Sequence, residues 1–174
     1  MQMKDYFAYF GLPVRFHPDE RELKRRFLQK SRETHPDFYT LATPEAQEQA
    51  LAESALNNEA YKILSDKHSR IRYLLEYFDV LRDEEKEQVS PAFLMEMMEL
   101  NEQLSEAAFD PELRATVKEQ IETKHQQVEA EMDRLTTAFD QSQDRSLLEK
   151  IKALYFQLKY LKRLFARLAD ARGL

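Results

Sequence analysis

Apolar residues along most of this chain recur at intervals of three and four, which is the period of an amphipathic helix. The first long run begins with Leu23 and Phe27 and predicts a helix that ends near His35, because a proline follows that residue. A second long helix is predicted from Pro44 to about Ser65, and two long helices joined by a loop form an antiparallel hairpin. Two shorter helices are predicted near residues 4–10 and 69–78.

Three further helices are predicted in the second half of the chain. Ser90-Pro91 and Asp110-Pro111 each place a capping side chain directly before a proline, which is the sequence signature of a helix start. The last helix carries apolar residues at alternating steps of four and three, the seam spacing of a helical bundle. Its seam residues are Leu147, Ile151, Leu154, Leu158, Leu161, Phe165 and Leu168. The pattern predicts an antiparallel three-helix bundle.

Charged residues dominate the stretch "LRDEEKEQ" between the two helical regions, which predicts a boundary there. The sequence therefore predicts an all-α fold in two parts. Residues 1–80 form a helical hairpin with two short helices, residues 81–90 form a linker, and residues 91–174 form the three-helix bundle.

Composition excludes several classes of site. Only two glycines occur, so a glycine-rich phosphate loop is excluded, and the absence of cysteine excludes cysteine-based zinc sites and thiol nucleophiles. The four histidines lack the spacing of metal ligands, and the net charge of −6 disfavours a nucleic-acid partner. No stretch is apolar enough to cross a bilayer, and no signal peptide is recognisable. We therefore expect a cytoplasmic protein that binds no metal, cofactor, nucleic acid or membrane.

The tripeptide His-Pro-Asp occurs twice, at residues 17–19 and 35–37. In the first copy Asp19 directly precedes the first long helix, with Glu22 three residues further on, which predicts a capping box in which Glu22 bonds back to the Asp19 amide. That copy has a structural role. The second copy lies in the loop after the helix, so we expect it to be exposed at the tip of the hairpin.

The outward side of the first long helix is predicted to be basic. Arg25 and Arg32 lie on it, and Arg26 flanks them. Alone, such a run is typical of a solvated helix face, but beside an exposed His-Pro-Asp loop it also fits a surface that steers an acidic partner. His35 and Asp37 have the side chains of general acid–base catalysis, but a hairpin tip lacks a cleft and a third orienting group. We do not expect an enzyme.

Apolar residues in the second half exceed what one buried stripe needs. On the helix that begins at Pro91, Leu94, Met95 and Met98 lie well around from the stripe formed by Phe93, Met97, Leu100 and Leu104. On the last helix, Phe156 and Tyr160 fall opposite the seam. Two interpretations are open: the rest of the protein covers these residues, or they bind a partner, with Glu99 and Glu102 as a polar rim.

The first part of the chain resembles a J domain, the module that stimulates DnaK-type chaperone ATPases. The resemblance covers about residues 4–78 and depends on the basic helix, the loop at residues 35–37 and the segment "NEAYKILSDKHSRIRY". The stretches "DYFAYFGLPVRF" and "PAFLMEMMELNEQL" resemble the HscB family, the J-type co-chaperones of iron–sulfur cluster assembly. The matching positions in the J-domain segment are Asn58, Ala60, Tyr61, Leu64, Asp66, Arg70 and Tyr73.

The resemblance implies two binding surfaces on a chain that is expected to be a monomer. The first surface would face an HscA/DnaK-type chaperone through His35, Pro36 and Asp37, with Arg25, Arg26 and Arg32 beside them. The second would hold the scaffold protein IscU through Leu94, Met95, Met98, Glu99, Glu102 and one aromatic of the last helix, either Tyr160, which the resemblance favours, or Phe156.

Two positions depart from the usual J-domain pattern. Phe38 follows the triplet where many J domains carry lysine, and Lys67 follows Asp66 where proline is commoner. These departures affect the expected choice of chaperone. Two other functions are compatible with the residues: a J-type co-chaperone for a different client, and a structural helical adaptor in which the triplet has no role.

Overall fold

The computed structural model describes residues 3–82, 86 and 88–170, and within these ranges the chain forms seven α-helices, two short 3₁₀ helices and no β-strand. The predicted all-α fold is confirmed. The chain divides into two compact units, Met1–Phe78 and Asp79–Leu174. The α-helices are α1 (Tyr6–Phe10), α2 (Glu20–Glu33), α3 (Pro44–Ser65), α4 (Lys67–Tyr77), α5 (Pro91–Glu106), α6 (Pro111–Ser142) and α7 (Ser146–Asp170), and the 3₁₀ helices are Pro36–Tyr39 and Ala107–Phe109.

Local capping residues set the ends of the helices in the N-terminal unit. Asp19 caps α2, since its Oδ1 accepts hydrogen bonds from the backbone amides of Arg21 and Glu22, both at 3.0 Å. Asp5 and Asp66 cap α1 and α4 in the same way, which is why these helices begin at Tyr6 and Lys67 rather than at the predicted positions. The starts of these helices therefore follow from short-range signals.

The predicted return bond of the capping box is wrong. Both carboxylate oxygens of Glu22 accept hydrogen bonds from arginines one turn further along α2, Arg25 and Arg26, at 2.6–2.8 Å. A charge-assisted hydrogen bond to a guanidinium is stronger than one to a neutral backbone amide, so the Glu22 carboxylate binds the two arginines instead of the Asp19 amide.

The hairpin of α2 and α3 is held together along its length by aromatic and polar contacts. Phe27 stacks on Tyr61 with ring centroids 4.1 Å apart and planes within 13° of each other. Nearby, the buried side chain of Asn57 donates hydrogen bonds to the Phe27 carbonyl at 3.1 Å and to Ser31 Oγ at 3.0 Å. These contacts fix how α2 lies on α3, and so they fix where the loop between the two helices projects.

Tyr73 on α4 fixes the position of the segment around Lys4 and Tyr6 through hydrogen bonds and ring stacking. Its hydroxyl accepts a hydrogen bond from the Tyr6 amide and donates one to the Lys4 carbonyl, both at 3.0 Å, while its ring stacks on that of Tyr6. Burial raises the pKa of Tyr73 to about 12, because the phenolate would be poorly solvated there. The core of this unit includes seven further large side chains that are almost completely buried, namely Phe7, Phe10, Phe16, Leu23, Leu64, Leu74 and Leu75.

The C-terminal unit is a three-helix bundle of α5, α6 and α7, in which α7 packs against both other helices. On α5 the predicted stripe is buried as expected. On α7 the predicted seam is partly wrong. Three of its residues are only half-buried, namely Leu147, Leu154 and Phe165, whereas Leu148, Phe156 and Leu164 are buried although the seam does not include them. A helix with two neighbours in a bundle buries a wider arc than a single seam, so the buried set shifts along its length. Among the described residues, no helix combines the length and apolar character needed to span a bilayer.

Candidate functional site

The second His-Pro-Asp triplet lies on the surface at the end of the α2–α3 hairpin. His35 is extended, with φ −63° and ψ 126°, and Pro36 begins a 3₁₀ helix directly after it. The His35 Nδ1 atom accepts a hydrogen bond from the Asp37 amide at 3.2 Å and lies 3.6 Å from the Asp37 carboxylate. The Asp37 side chain is 84% exposed. The turn therefore presents its imidazole and carboxylate to solvent in a defined arrangement.

Two residues that sequence reasoning missed anchor this turn. The Tyr39 hydroxyl donates a hydrogen bond to the Glu33 carbonyl at 2.9 Å, at the last residue of α2. The Gln47 side-chain amide donates to the Thr40 and Ala42 carbonyls, both at 3.2 Å, from the first turns of α3. In the sequence these two residues stand out only as polar side chains, and polarity alone does not show which atoms they contact. The two contacts hold both ends of the loop, so the triplet needs little ordering before it binds.

The basic face of α2 is partly neutralised within the protein. Glu22 pairs with Arg25 and Arg26, and the hydrogen bond from Arg25 is the main cause that lowers the pKa of the Glu22 carboxyl to about 2. The same pairing raises the pKa of the Arg25 guanidinium. Arg32 is exposed and makes no ion pair with another described residue. Of the three arginines predicted to bind a chaperone, Arg32 is thus the one with an uncompensated charge.

The surplus apolar face of α5 is open to solvent. Met95 is 71% exposed and Met98 is 62% exposed, while Leu94 is half-buried beside them. Glu99 and Glu102 line the same shallow surface groove as the two methionines. Neither glutamate pairs with a cation of the described residues, so the edge of this apolar patch keeps its negative charge. An exposed methionine pair with an acidic edge is typical of an adaptable protein-binding surface.

The two candidate aromatics of α7 differ in accessibility. Phe156 is 3% exposed, so of the two interpretations the first applies to it: the rest of the protein covers this side chain. Tyr160 is half-buried and packs edge-on against Phe93 of α5, with ring centroids 6.3 Å apart. The Arg163 guanidinium lies 4.5 Å from the Tyr160 ring centroid. The structure therefore leaves Tyr160 as the accessible aromatic, and it brings this residue to the α5 helix that carries the methionines.

No group of three or more His, Asp or Glu side chains suited to a metal ion occurs in the described part of the chain. A second surface groove of the bundle lies between α5 and α6 and is lined mainly by polar side chains. Across it, Lys124 Nζ lies 2.7 Å from a Glu96 carboxylate oxygen and 5.6 Å from the Phe93 ring centroid.

Comparison with known proteins finds similarity over nearly the whole chain. Residues 89–168 match the family model described as the HSCB C-terminal oligomerisation domain. The co-chaperone protein HscB homolog of Bordetella petrii is 34% identical over 168 residues, which cover 95% of this chain and 97% of the relative. The homolog of Bordetella avium is 35% identical over 78% of this chain and 81% of its own length.

Solved structures give the same result. The crystal structure of the human co-chaperone protein HscB superposes with a TM-score of 0.75 at 26% identity, covering 97% of this chain and 82% of the human chain. The chaperone HscB from Vibrio cholerae has a TM-score of 0.68 at 25% identity, covering 98% of both chains.

Proposed function

This chain belongs to the HscB family of co-chaperones, and we propose that it binds an IscU-type scaffold protein, delivers it to an HscA/DnaK-type chaperone and stimulates that chaperone's ATP hydrolysis in iron–sulfur cluster assembly. One observation carries the proposal: the exposed triplet at residues 35–37 and the exposed methionine face of α5 occur on the same chain. The protein regulates a reaction that takes place on its partner. We place it in the cytoplasm and expect it to act as a monomer.

The triplet would act by binding one state of the chaperone better than another. A contact accelerates hydrolysis only if it is stronger in the hydrolysis-competent arrangement than in the resting one. The exposed Asp37 carboxylate is suited to a charge-assisted hydrogen bond with an arginine of the chaperone. Pro36 and the anchoring bonds of Tyr39 and Gln47 restrict the loop beforehand, so docking loses little conformational entropy.

The methionine face would hold the scaffold. Met95 and Met98 supply apolar area that a flexible side chain can fit to a partner, with Leu94 beside them. Glu99 and Glu102 supply negative charge at the edge, which favours a scaffold surface that carries lysine or arginine there. Tyr160 is the aromatic that we include in this surface, and Phe156 is left out because it is buried.

Single-turnover ATP hydrolysis by an HscA-type chaperone tests the proposal at the triplet. With His35→Gln in the full-length chain, stimulation should be lost while binding of the scaffold is kept. The matched control is His17→Gln, which makes the same change in the other triplet and should stimulate normally. Stimulation retained by His35→Gln, or lost in a folded His17→Gln variant, would contradict the assignment.

The description of the matching family model favours a second candidate for the α5 face, namely contact between two copies of this chain. Both candidates use Met95 and Met98, so sedimentation equilibrium at increasing protein concentration separates them. Our proposal predicts a monomer that forms a one-to-one complex with the scaffold. A dimer that Met98→Ala dissociates, and that the scaffold does not displace, would favour the second candidate.

A further inference from the structure

Two large apolar side chains of the hairpin tip are exposed to solvent. Phe38, directly after the triplet, is 76% exposed, and Leu41, three residues later, is fully exposed. Exposed large apolar side chains that lie close together mark binding surfaces more often than single scattered ones. The tip therefore offers apolar contact area in addition to the polar groups of His35 and Asp37.

Phe38 is fixed beside the triplet. Its backbone amide donates a hydrogen bond to the His35 carbonyl at 3.0 Å, and its ring packs edge-on to the His35 imidazole, with ring centroids 6.1 Å apart at 73°. The next residue, Tyr39, is bonded to the end of α2. A protein surface that packs on the His35 ring would therefore have the Phe38 ring next to it.

We propose that Phe38, together with Leu41, makes an apolar contact with the chaperone that the triplet engages, and that this contact selects which chaperone binds. The inference rests on the proposed function and deepens it. An exposed aromatic ring at this position gains contact area only on a partner surface that is apolar there, so a chaperone with a charged group at that point is disfavoured.

The charge of the tip argues against the other possible occupants. The Asp37 side chain is 84% exposed next to Phe38, so inserting the tip into an anionic bilayer would bring a carboxylate toward like charges and out of water. Contact between two tips would place the Asp37 carboxylates of both copies near each other. A chaperone surface that pairs with Asp37 and covers Phe38 avoids both costs.

The test is a titration of the full-length protein into single-turnover ATP hydrolysis by an HscA-type chaperone, without the scaffold. Phe38→Ala should raise the half-saturating concentration on the order of tenfold, the change expected when a partner no longer buries one large apolar side chain. The maximal stimulation should stay at the wild-type level, because His35 and Asp37 are intact. The increase should persist at high salt, since an apolar contact is not screened.

Two further variants show whether Phe38 touches the chaperone or only positions His35. Phe38→Leu keeps an apolar side chain but loses the ring that packs on the imidazole, and it should keep a half-saturating concentration close to that of the wild type. Equal effects of Phe38→Leu and Phe38→Ala would overturn the contact. Phe109→Ala is the matched control, because Phe109 is a fully exposed phenylalanine in the other unit and its loss should change nothing in this assay.

The outcomes separate this inference from the proposed function. If Phe38→Ala leaves the half-saturating concentration unchanged while His35→Gln abolishes stimulation, the inference is wrong and the proposed function stands. If His35→Gln still stimulates, the proposed function fails and the inference fails with it. Two other results would also overturn the inference. If Phe38→Ala leaves the titration unchanged but no longer binds anionic vesicles, the tip contacts a bilayer. If it leaves the titration unchanged but no longer self-associates, the tip contacts a second copy of the chain.

Discussion

Glu22 shows how one carboxylate can support a helix and also reduce the positive charge of its basic face. It lies in the first turn of α2, where a negative charge interacts favourably with the helix dipole. It also binds Arg25 and Arg26, which lowers its pKa to about 2. The side chain is partly exposed, so its contribution to stability is screened by salt and modest. Its pairing with Arg25 and Arg26 partly neutralises the basic face.

We predict that Glu22→Gln destabilises the protein at neutral pH and has a much smaller effect in acid. The pKa of this carboxyl is lower in the folded state than its ordinary value of 4.5, so its stabilising contribution is present above that pH and is lost as the pH falls toward 2. Thermal unfolding at pH ~7 and pH ~2.5 measures this, and the difference between the wild type and the variant should be clearly smaller at the lower pH.

Glu20→Gln is the control for the pH prediction. Glu20 stands in the same first turn of α2 but forms no ion pair with a described residue, so its substitution changes the interaction with the helix dipole alone. A pH dependence of equal size in Glu20→Gln and Glu22→Gln would show that the arginine pairs contribute nothing.

Phe156 and Tyr160 are predicted to respond oppositely to truncation. Phe156 is 3% exposed, so Phe156→Ala should lower the free energy of unfolding by about 3–5 kcal/mol. Tyr160→Ala should be less destabilising and should weaken scaffold binding by about 1 kcal/mol or more, roughly fivefold. Denaturant unfolding and calorimetric titration with an IscU-type scaffold measure the two quantities. Full scaffold affinity in Tyr160→Ala would remove this residue from the proposed surface.

At the scale of elements, α5 divides its apolar residues between two faces. Phe93, Met97, Leu100 and Leu104 are buried, whereas Met95 and Met98 are exposed. The helix needs only the first set to pack in the bundle. The second set is available to a partner, which is why a helix with so many apolar residues is compatible with both folding and binding.

Adjacent methionines of α5 provide a matched pair of variants. Met97 is 1% exposed and Met98 is 62% exposed. Met97→Ala should cost about 2–5 kcal/mol of stability through the cavity it leaves. Met98→Ala should change stability by no more than ~0.5 kcal/mol and weaken scaffold binding by at least ~1 kcal/mol. If Met98→Ala lowers stability and leaves scaffold binding intact, the exposed face has a structural role instead.

At the scale of the whole molecule, the proposed mechanism depends on two surfaces carried by one chain. The triplet lies in Met1–Phe78 and the methionine face in Asp79–Leu174. A scaffold held by one unit is kept at a high effective concentration near a chaperone held by the other. Covalent connection is therefore part of the mechanism, independently of the affinity of either surface.

We predict that two defective variants cannot complement each other in trans. An equimolar mixture of His35→Gln and Met98→Ala contains one intact copy of each surface, but on separate chains. With the scaffold at a concentration below its dissociation constant, the mixture should not restore the extra stimulation of ATP hydrolysis that the scaffold produces with the wild type. Restoration to the wild-type level would show that tethering has no role.

Local sequence signals alone determined most of the helical framework and the exposure of the triplet. The helix Pro44–Ser65 was predicted at the observed bounds, because a capping threonine and a proline at the first position specify its start. The turn at residues 35–37 was predicted to be exposed, because a proline ends the preceding helix and polar residues follow. These features depend on residues within one or two helical turns of each other, and such neighbours can be read directly from the sequence.

Tertiary structure alone decided which side chains find which partners. The angular position of Phe156 on its helix is known from the sequence, but its burial depends on how far the neighbouring elements extend around that helix. The Gln47 side chain donates hydrogen bonds to the loop only because the hairpin brings α3 beside the Thr40 and Ala42 carbonyls. The hydrophobic period of a helix shows to which side each side chain points. It does not show whether another element covers that side chain, because this depends on distant residues that the fold brings together.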